Sequence, residues 1–439
     1  MTQLAILSAL WSERPVTMRL PFQFGSTEVR ETAEALCRVE IEVNGARATG
    51  RSAQLMVPRW FNKRADLSNA DTIDELRKVV AAAVAAAPGQ GGTALMVTRS
   101  LRAKVARALP DAPPLAQGFG PSLVEMAVID ALCRALDLPF WQAARDDAFG
   151  LAQGCPADLT AEQLRQSLSN ITAPTALVLR HTIGFDAPLR QSEKAADAPE
   201  DGLPVSLDEV IAQTGIAAFK IKLKGDPEAD QRRLRDIAAL LDQGGDYVVT
   251  LDANEQYTPD NFSRLSDNMA RDAALDRFLG TVRFVEQPFA REIALSEPVT
   301  AKLPLIIDES DDREDAFARA LKLGWSGTSI KSCKGVLRAL LNKARAEAAG
   351  AVLSGEDLTC QPGICWLQDA AMMAACGVRD VERNGHHFAG GLQGAPDEER
   401  ATLLHRHDDI LTDGSGGIAL RITGGKVAIG SLGQAGFGW

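Results

Sequence analysis

From residue 176 onward, short runs that favour β-strands alternate with amphipathic segments that favour helices. The eight runs cover residues 176–180, 218–222, 247–251, 282–285, 305–307, 328–330, 351–353 and, more weakly, 381–383. The helical segments between them include residues 227–241, 259–269, 312–323 and 336–349. Alternating strands and helices of this length form parallel sheets, and eight repeats are the number that closes a barrel. The sequence therefore predicts an α/β fold built on a (β/α)8, or TIM, barrel.

A doubly wound open sheet is the alternative arrangement for such an alternation. It is disfavoured because no G-x-G-x-x-G motif follows an early strand. Two polar segments, residues 186–203 and 390–417, look inserted after the first and eighth strands. Because they lie where barrel loops emerge, we expect them to form lids or dimer contacts.

The N-terminal part of the chain has a different pattern of strand-like and helix-like segments. Residues 3–20 and 34–50 read as sheet elements around a turn-rich loop, and residues 73–87 and 121–138 have helical spacing. Strand-like alternation returns near the C-terminus. We therefore expect three parts: an α+β unit at 1–145, the barrel at 146–415, and a segment at 416–439 that returns to the first unit.

Composition excludes several classes of function. The 439 residues carry a net charge of −11, so no basic surface favours nucleic acid or an anionic membrane. No apolar run reaches the roughly 20 residues of a membrane helix, and the N-terminus lacks a basic, cleavable leader. The seven cysteines form no C-x-x-C pair, so neither a disulfide framework nor a zinc site is indicated. We expect a cytoplasmic protein.

Charged residues stand at the ends of five strand runs in succession. These residues are Lys222, Asp252, Glu286, Asp308 and Lys331, separated by 30, 34, 22 and 23 residues. Each separation is about the length of one βα unit, and chemistry in such barrels lies at the carboxyl ends of strands. The series therefore predicts a site at the barrel mouth.

Three of these residues are carboxylates that would repel one another if left unpaired. Oxygen-only ligands with open positions suit Mg²⁺, with Mn²⁺ as the second candidate, rather than zinc. In the plainer interpretation each acid caps the following helix, as Asp252 could do. Three acids in succession, with a lysine on either side, favour the metal over the cap.

The lysines of the series need their own explanation, because lysine is seldom buried without a partner. Lys220 and Lys222 are two apart on one strand and so face the same side. Lys331 lies on the sixth strand, across the mouth from the second. Two opposed lysines can move protons at opposite faces of one carbon. Lys224 and Lys334 are interpreted as solvated loop residues.

These segments resemble the enolase superfamily, specifically the muconate-lactonizing subgroup of the mandelate racemase/muconate lactonizing enzyme family. The matching motifs are K-x-K at Lys220–Lys222, D-x-N at Asp252–Asn254, E-x-P at Glu286–Pro288, D-E-S at Asp308–Ser310, and Lys331 on strand six. The resemblance implies a capping domain built from both chain ends and Mg²⁺ held by Asp252, Glu286 and Asp308. It also implies a small carboxylate as substrate and a homo-oligomer as an assembly known among relatives.

The implied activity is abstraction of the proton α to the substrate carboxylate, through an enediolate intermediate. Lys222 would exchange the α-proton and Lys220 would tune the basicity of Lys222. Lys331 would be either the second acid/base or a cation that stabilises the enolate. We expect a racemase or epimerase, an isomerase. A cycloisomerase of the muconate-lactonizing type, or a dehydratase or lyase similar to o-succinylbenzoate synthase, is the close alternative. A metal-dependent barrel hydrolase and a non-catalytic binding barrel are more distant ones.

Strand eight departs from the pattern of dipeptide epimerases, because their D-x-D motif is absent and the chain continues through His386 and His387. This argues against a dipeptide substrate. Adjacent histidines fit a surface role as well as a substrate contact. The aromatic residues Phe22, Phe24 and Trp60 of the N-terminal unit fit local packing as well as a lid over the mouth. The candidate supporting or substrate-contact residues are Asn254, Glu309, Glu356, Asp357, Asn384, His386, Phe22, Phe24 and Trp60.

Overall fold

The computed structural model describes residues 2–357, 360–382 and 385–439, and of residues 385 and 386 only the backbone. The strands are β1 Leu4–Phe24, β2 Thr27–Val43, β3 Ala46–Leu55, β4 Gly91–Gly92, β5 Ala176–Ile183, β6 Ala218–Lys222, β7 Val248–Asp252, β8 Val282–Glu286, β9 Leu305–Ile307, β10 Gly327–Ile330, β11 Val352–Gly355, β12 Val381–Glu382, β13 Leu411–Gly414, β14 Gly417–Leu420 and β15 Lys426–Ala428.

The helices connect and cover these strands. They are α1 Asn69–Ala86, α2 Ala94–Ala108, α3 Pro114–Ala135, α4 Phe140–Arg145, α5 Ala161–Ser169, α6 Leu207–Thr214, α7 Pro227–Leu241, α8 Pro259–Ala270, α9 Asp276–Leu279, α10 Arg291–Ala294, α11 Ala316–Lys322, α12 Val336–Ala349, α13 Ile364–Cys376, α14 Gly385–Ala389 and α15 Asp397–Arg406. No helix in the described ranges is long and apolar enough to cross a membrane.

Strands β5 to β12 form a closed parallel barrel. Each pairs with the next in chain order, and β12 pairs with β5 through Val381 and Leu179. All eight predicted runs are strands of this barrel, and the second and fifth have the predicted bounds. The (β/α)8 barrel is therefore confirmed.

The N-terminal part forms a capping domain with an antiparallel sheet in the order β3-β2-β1-β4. Helix α3 packs on β2 and β3 and is buried over most of its length. A Cβ at Gly50 of β3 would lie 2.1 Å from the carbonyl oxygen of Ala127 and 2.3 Å from the amide nitrogen of Ala131. Only glycine lets the helix approach the strand this closely.

Three details of this domain differ from the sequence prediction. The expected loop around residue 21 is instead the end of β1, so Phe22 and Phe24 lie on a strand. The expected second strand is two strands joined at Asn44 and Gly45, whose positive φ angles of 52° and 79° suit a tight hairpin turn. The helix predicted at residues 121–138 also has the wrong start. Its counterpart α3 begins seven residues earlier, with Pro114 in its first turn.

The C-terminal segment contacts both parts of the molecule. Strand β15 pairs antiparallel with β5, on the barrel rather than on the capping sheet. Beyond it, the amide of Phe437 donates to the Asp130 carboxylate of α3 at 3.2 Å. The proposed boundaries at residues 145 and 415 remain predictions.

Both inserted segments lie against β1 of the capping sheet. Arg19 binds the Asp201 carboxylate of the first segment, and Gln393 of the second exchanges hydrogen bonds with the backbone of Thr17. Their roles as lids or dimer contacts remain predictions.

Candidate active site

The charged residues that end the predicted strand runs gather at one end of the barrel. Lys222, Asp252 and Glu286 are the last residues of β6, β7 and β8, and Asp308 and Lys331 directly follow β9 and β10. Since the strands are parallel, their carboxyl ends open on one mouth. All five side chains are buried there.

Lys220 lies inside a ring of carboxylates. Its Nζ is 2.7 Å from Glu356, 2.9 Å from Glu286, 3.0 Å from Asp252 and 3.0 Å from Glu382. Burial alone would lower the pKa of Lys220, but the attraction of the four carboxylates raises it well above the ordinary value. Lys220 therefore carries a fixed positive charge.

Lys222, two residues further along β6, has fewer charged neighbours. Its Nζ donates to the Asp252 carboxylate at 2.6 Å and to the side-chain oxygen of Asn254 at 2.9 Å. The ring of Phe22, from the capping domain, lies 5.9 Å from the same nitrogen. The amine is thus held by one acid and one amide and covered by an aromatic face.

Lys331 has a matching environment on the other side of the barrel. Its Nζ donates to Asp308 at 2.6 Å and to Glu356 at 2.9 Å, and the ring of Trp60 lies 5.3 Å away. Burial would lower the pKa of Lys331, but the two carboxylates raise it well above the ordinary value. Since β6 and β10 are four strands apart in a barrel of eight, the lysines stand on opposed strands.

Three carboxylates of the mouth form a cluster that could hold a cation. Glu286, Asp308 and Glu356 each offer an oxygen within 4.8 Å of the others. Burial, and then repulsion from Asp252 and Glu356, raise the pKa of Glu286 well above the usual range. Its two oxygens accept no hydrogen bond from the described residues. An oxygen-only set that includes a buried carboxylate with an ion pair to Lys220 but no hydrogen bond fits a hard divalent cation such as Mg²⁺.

This cluster overlaps the predicted ligand set without coinciding with it. Glu286 and Asp308 are common to both, whereas Glu356 takes the place that the sequence analysis assigned to Asp252. Asp252 remains attached to the cluster, since its carboxylate and that of Glu286 contact the same Lys220 nitrogen. The metal ligands stay a prediction.

Two residues that support Asp308 were missed in the sequence. The side-chain oxygen of Gln287 accepts the backbone amides of Asp308 at 2.8 Å and Ser310 at 3.1 Å. Lys334 was interpreted as a solvated loop residue, which is wrong: it is buried, and its Nζ donates to the Asp308 carbonyl at 3.0 Å. Lys224, in contrast, is partly exposed and pairs with Asp186.

The capping domain contributes a charge of its own to the mouth. The Nζ of Lys63 lies 2.7 Å from Glu309 and 2.6 Å from Glu255, and donates to the Asn254 carbonyl at 3.0 Å. Glu309 is fully buried and also accepts from the Asn254 amide at 3.2 Å. No local pattern marks Lys63, because its partners lie about 190 residues or more away along the chain.

The remaining candidate substrate-contact residues lie in different parts of the structure. Asp357 is buried beyond β11, and the ring of Phe24 packs 5.6 Å from that of Phe22. Asn384 and the side chain of His386 lie outside the described part of the chain. His387 is buried.

The described residues form a capped (β/α)8 barrel with acids and lysines at successive strand ends. Residues 203–412 match the family model described as enolase C-terminal domain-like. Over these residues the chain is similar to the enolase superfamily, in its mandelate racemase/muconate lactonizing enzyme branch.

Solved structures share this fold at low sequence identity. The L-Ala-D/L-Glu epimerase from Bacillus subtilis aligns with a TM-score of 0.65 and 18% identity over 99% of this chain and 98% of its own. A mandelate racemase/muconate lactonizing protein from Herpetosiphon aurantiacus aligns with a TM-score of 0.61 and 19% identity, over 99% of this chain and 98% of its own. An enolase from Bradyrhizobium, complexed with magnesium and mandelic acid, aligns with a TM-score of 0.63 and 17% identity, over 99% of this chain and 96% of its own. No curated protein matches the chain.

Proposed function

We propose that the protein removes and returns the proton α to the carboxylate of a small organic acid, acting as a racemase or epimerase. The observation that carries this proposal is the pair of buried lysines on opposed strands, Lys222 on β6 and Lys331 after β10. Lys331 contacts Asp308 and Glu356 of the carboxylate cluster. Lys222 contacts Asp252, which shares the Lys220 nitrogen with Glu286. One amine can therefore take a proton from one face of a carbon while the other delivers a proton to the opposite face.

The environments of the lysines divide their roles. Lys220 is surrounded by four carboxylates and stays charged, so it supplies fixed positive potential rather than a proton acceptor. Lys222 has one carboxylate neighbour and is better suited to accept a proton. Asp308 and Glu356 favour the protonated form of Lys331, which suits it to donate a proton when Lys222 accepts one. In the reverse direction of a racemisation the two lysines exchange these roles.

Mg²⁺ fits the carboxylate cluster as cofactor. Glu286 and Asp308 would hold it, with Asp252 or Glu356 as the third ligand. When bound, the cation supplies a Lewis acid that stabilises the negative charge developing on the substrate carboxylate. Lys220 adds to that stabilisation from within the chain, since its charge lies among the same acids.

A cavity beside Lys222 supports a substrate with an apolar substituent. Its volume is about 300 Å³, and Phe22, Phe185, Val205 and Phe388 contribute apolar surface to it. Phe22 both lines this cavity and covers Lys222. An apolar group on the reacting carbon could therefore occupy the cavity while the carboxylate faces the acids.

The test is hydrogen exchange in D₂O with Mg²⁺, using a panel of 2-hydroxy acids, N-acylamino acids and other α-substituted acids. Deuterium at the α-carbon of both enantiomers is the expected result. Loss of a leaving group would identify a dehydratase or lyase instead. Exchange should stop after EDTA treatment. Absence of exchange with every acid in the panel would count against the proposal.

Two variants make the test specific. Lys222→Ala should lower the exchange rate by about 10²–10⁴-fold, the usual contribution of a general acid/base. Lys302→Ala is the matched control, because Lys302 is an exposed lysine of the barrel that pairs with Asp267 at the surface. Full activity in Lys222→Ala would exclude this lysine as the base.

A further inference from the structure

A second cavity lies between the capping domain and the barrel. Its volume is about 390 Å³, and it is bounded by α2, α3, the start of α12 and the segment 312–314. Four arginines contribute to its lining: Arg99, Arg102, Arg313 and Arg338. None of them takes part in the proposed proton transfer.

Two of these arginines have carboxylate partners. Arg99 pairs with Glu314 at 2.5 Å, and Arg313 pairs with Asp312 at 3.1 Å. Their charges are therefore already balanced within the lining. The other two arginines determine what the cavity can bind.

Arg338 is 7% exposed, and its side chain makes no hydrogen bond or ion pair with any residue of the described ranges. Its Nε and Nη1 atoms are buried without a partner. Arg102 donates only to neutral oxygens, the Ser122 hydroxyl and the Lys334 carbonyl, both at 2.8 Å. A buried guanidinium without an ion-pair partner is costly, and Arg338 is one. Arg102 is attracted by the Glu125 carboxylate, so the two arginines share a single nearby acid.

The charges of the two arginines act on each other. Burial, and then repulsion from Arg338, lower the pKa of Arg102 to about 10. Glu125 is the remaining acid of the lining, and its carboxylate accepts the backbone amide of Leu337 at 3.0 Å, at the start of α12. One carboxylate that already caps a helix leaves the pair with an excess of positive charge.

The chain makes room for one of the guanidinium groups. A Cβ at Gly118 would lie 2.9 Å from Nη1 of Arg102, and a Cβ at Gly335 would lie 2.6 Å from Nη2. Gly335 also has a φ of 122°, which side chains other than glycine rarely adopt. Arg102 is thus inserted between two glycines, one on the cap and one on the barrel.

We propose that this cavity binds a small oxyanion, a phosphate or carboxylate group, between Arg102 and Arg338. The planar fork of guanidinium donors matches both groups, and the positive end of the fourteen-residue helix α12 adds to the attraction. Because Arg102 lies on α2 and Arg338 on α12, the bound anion joins the capping domain to the barrel.

The test compares melting temperatures of the full chain in chloride, inorganic phosphate and acetate at equal ionic strength. The wild type should melt about 2 °C or more higher in phosphate or acetate than in chloride, since a ligand that binds the folded state stabilises it. The anion with the larger effect identifies the group. No rise with either anion would overturn the proposal.

Arg338→Met should abolish the rise and, in chloride, melt no lower than the wild type, because it removes an unpaired buried charge. Arg319→Met, on the surface helix α11, is the control and should keep the rise. Arg338→Lys keeps the charge without the fork and should show a smaller rise, which provides a second reading if the methionine variant does not fold. A full rise in either Arg338 variant would contradict the site.

Discussion

At the scale of single residues, the barrel mouth is a chain of alternating charges. Asp252, Lys220, Glu356, Lys331 and Asp308 follow one another at contact distances of 2.6 to 3.0 Å. Each lysine is thereby kept charged although it is buried. This alternation is what allows so many ionisable groups to share a dry site.

Glu34 of β2 is another buried acid, and it gives a prediction on stability. Burial raises the pKa of Glu34 to about 7. The folded protein therefore binds this proton more tightly than the unfolded chain does. The stability that the protonated Glu34 contributes to the folded state is fully present below the unfolded pKa near 4.5 and is lost as the pH rises through 7. Between about pH 5 and pH 8 the protein should lose roughly 2.5 kcal/mol of stability from this group.

Glu34→Gln should flatten that dependence, because the amide does not titrate. Thermal melting from pH 5 to pH 8 measures the difference. Glu42→Gln, at an exposed position of the same strand, is the control and should follow the wild type. Equal slopes for Glu34→Gln and the wild type would show that Glu34 is not the responsible group.

The residues of the site differ in how far the sequence reveals them. Lysines and acids at strand ends are visible because an apolar run stops at a charge. The same rule could have marked Glu382, which ends β12, but that strand has only two residues and a weak pattern. Lys63 and Gln287 act through distant partners and backbone amides, which leave no local signal.

At the scale of elements, the barrel strands were predictable because each is a short apolar run between polar turns. The capping strands were harder, since β1 and β2 are 21 and 17 residues long and alternate only in part. The Asn44-Gly45 pair was the available signal for the hairpin between β2 and β3. Helix α3 is buried all round, so its sequence lacks the amphipathic contrast that marks a helix start.

The contact between α3 and β3 gives a prediction for this scale. Gly50→Ala would place a methyl group against the backbone of Ala127 and Ala131, which cannot yield without moving the helix. We expect a loss of about 3 kcal/mol in the free energy of unfolding. Gly245→Ala is the control, because no atom lies within 4 Å of its added Cβ. Chemical denaturation of both variants measures the effect, and similar losses in both would contradict the packing account.

At the scale of the whole molecule, the capping domain and the barrel complete one site between them. Phe22 and Trp60, both from the cap, each cover one of the two opposed lysines. Further contacts between the N-terminal part and the rest of the chain are Lys63 with Glu309, Arg19 with Asp201, Arg14 with Glu399, and Arg102 with the Lys334 carbonyl. These pairs join residues about 180 or more positions apart, so local sequence patterns could not predict them.

The central claim is that Lys222 and Lys331 serve opposite faces of one carbon. Its most direct measurement follows α-hydrogen exchange in D₂O by NMR, with each enantiomer of an accepted acid supplied separately. Lys222→Ala should lose exchange with one enantiomer and Lys331→Ala with the other, by about 10²–10⁴-fold, while each keeps exchange with the remaining enantiomer. Loss of the same enantiomer in both variants, or of neither, would contradict the account.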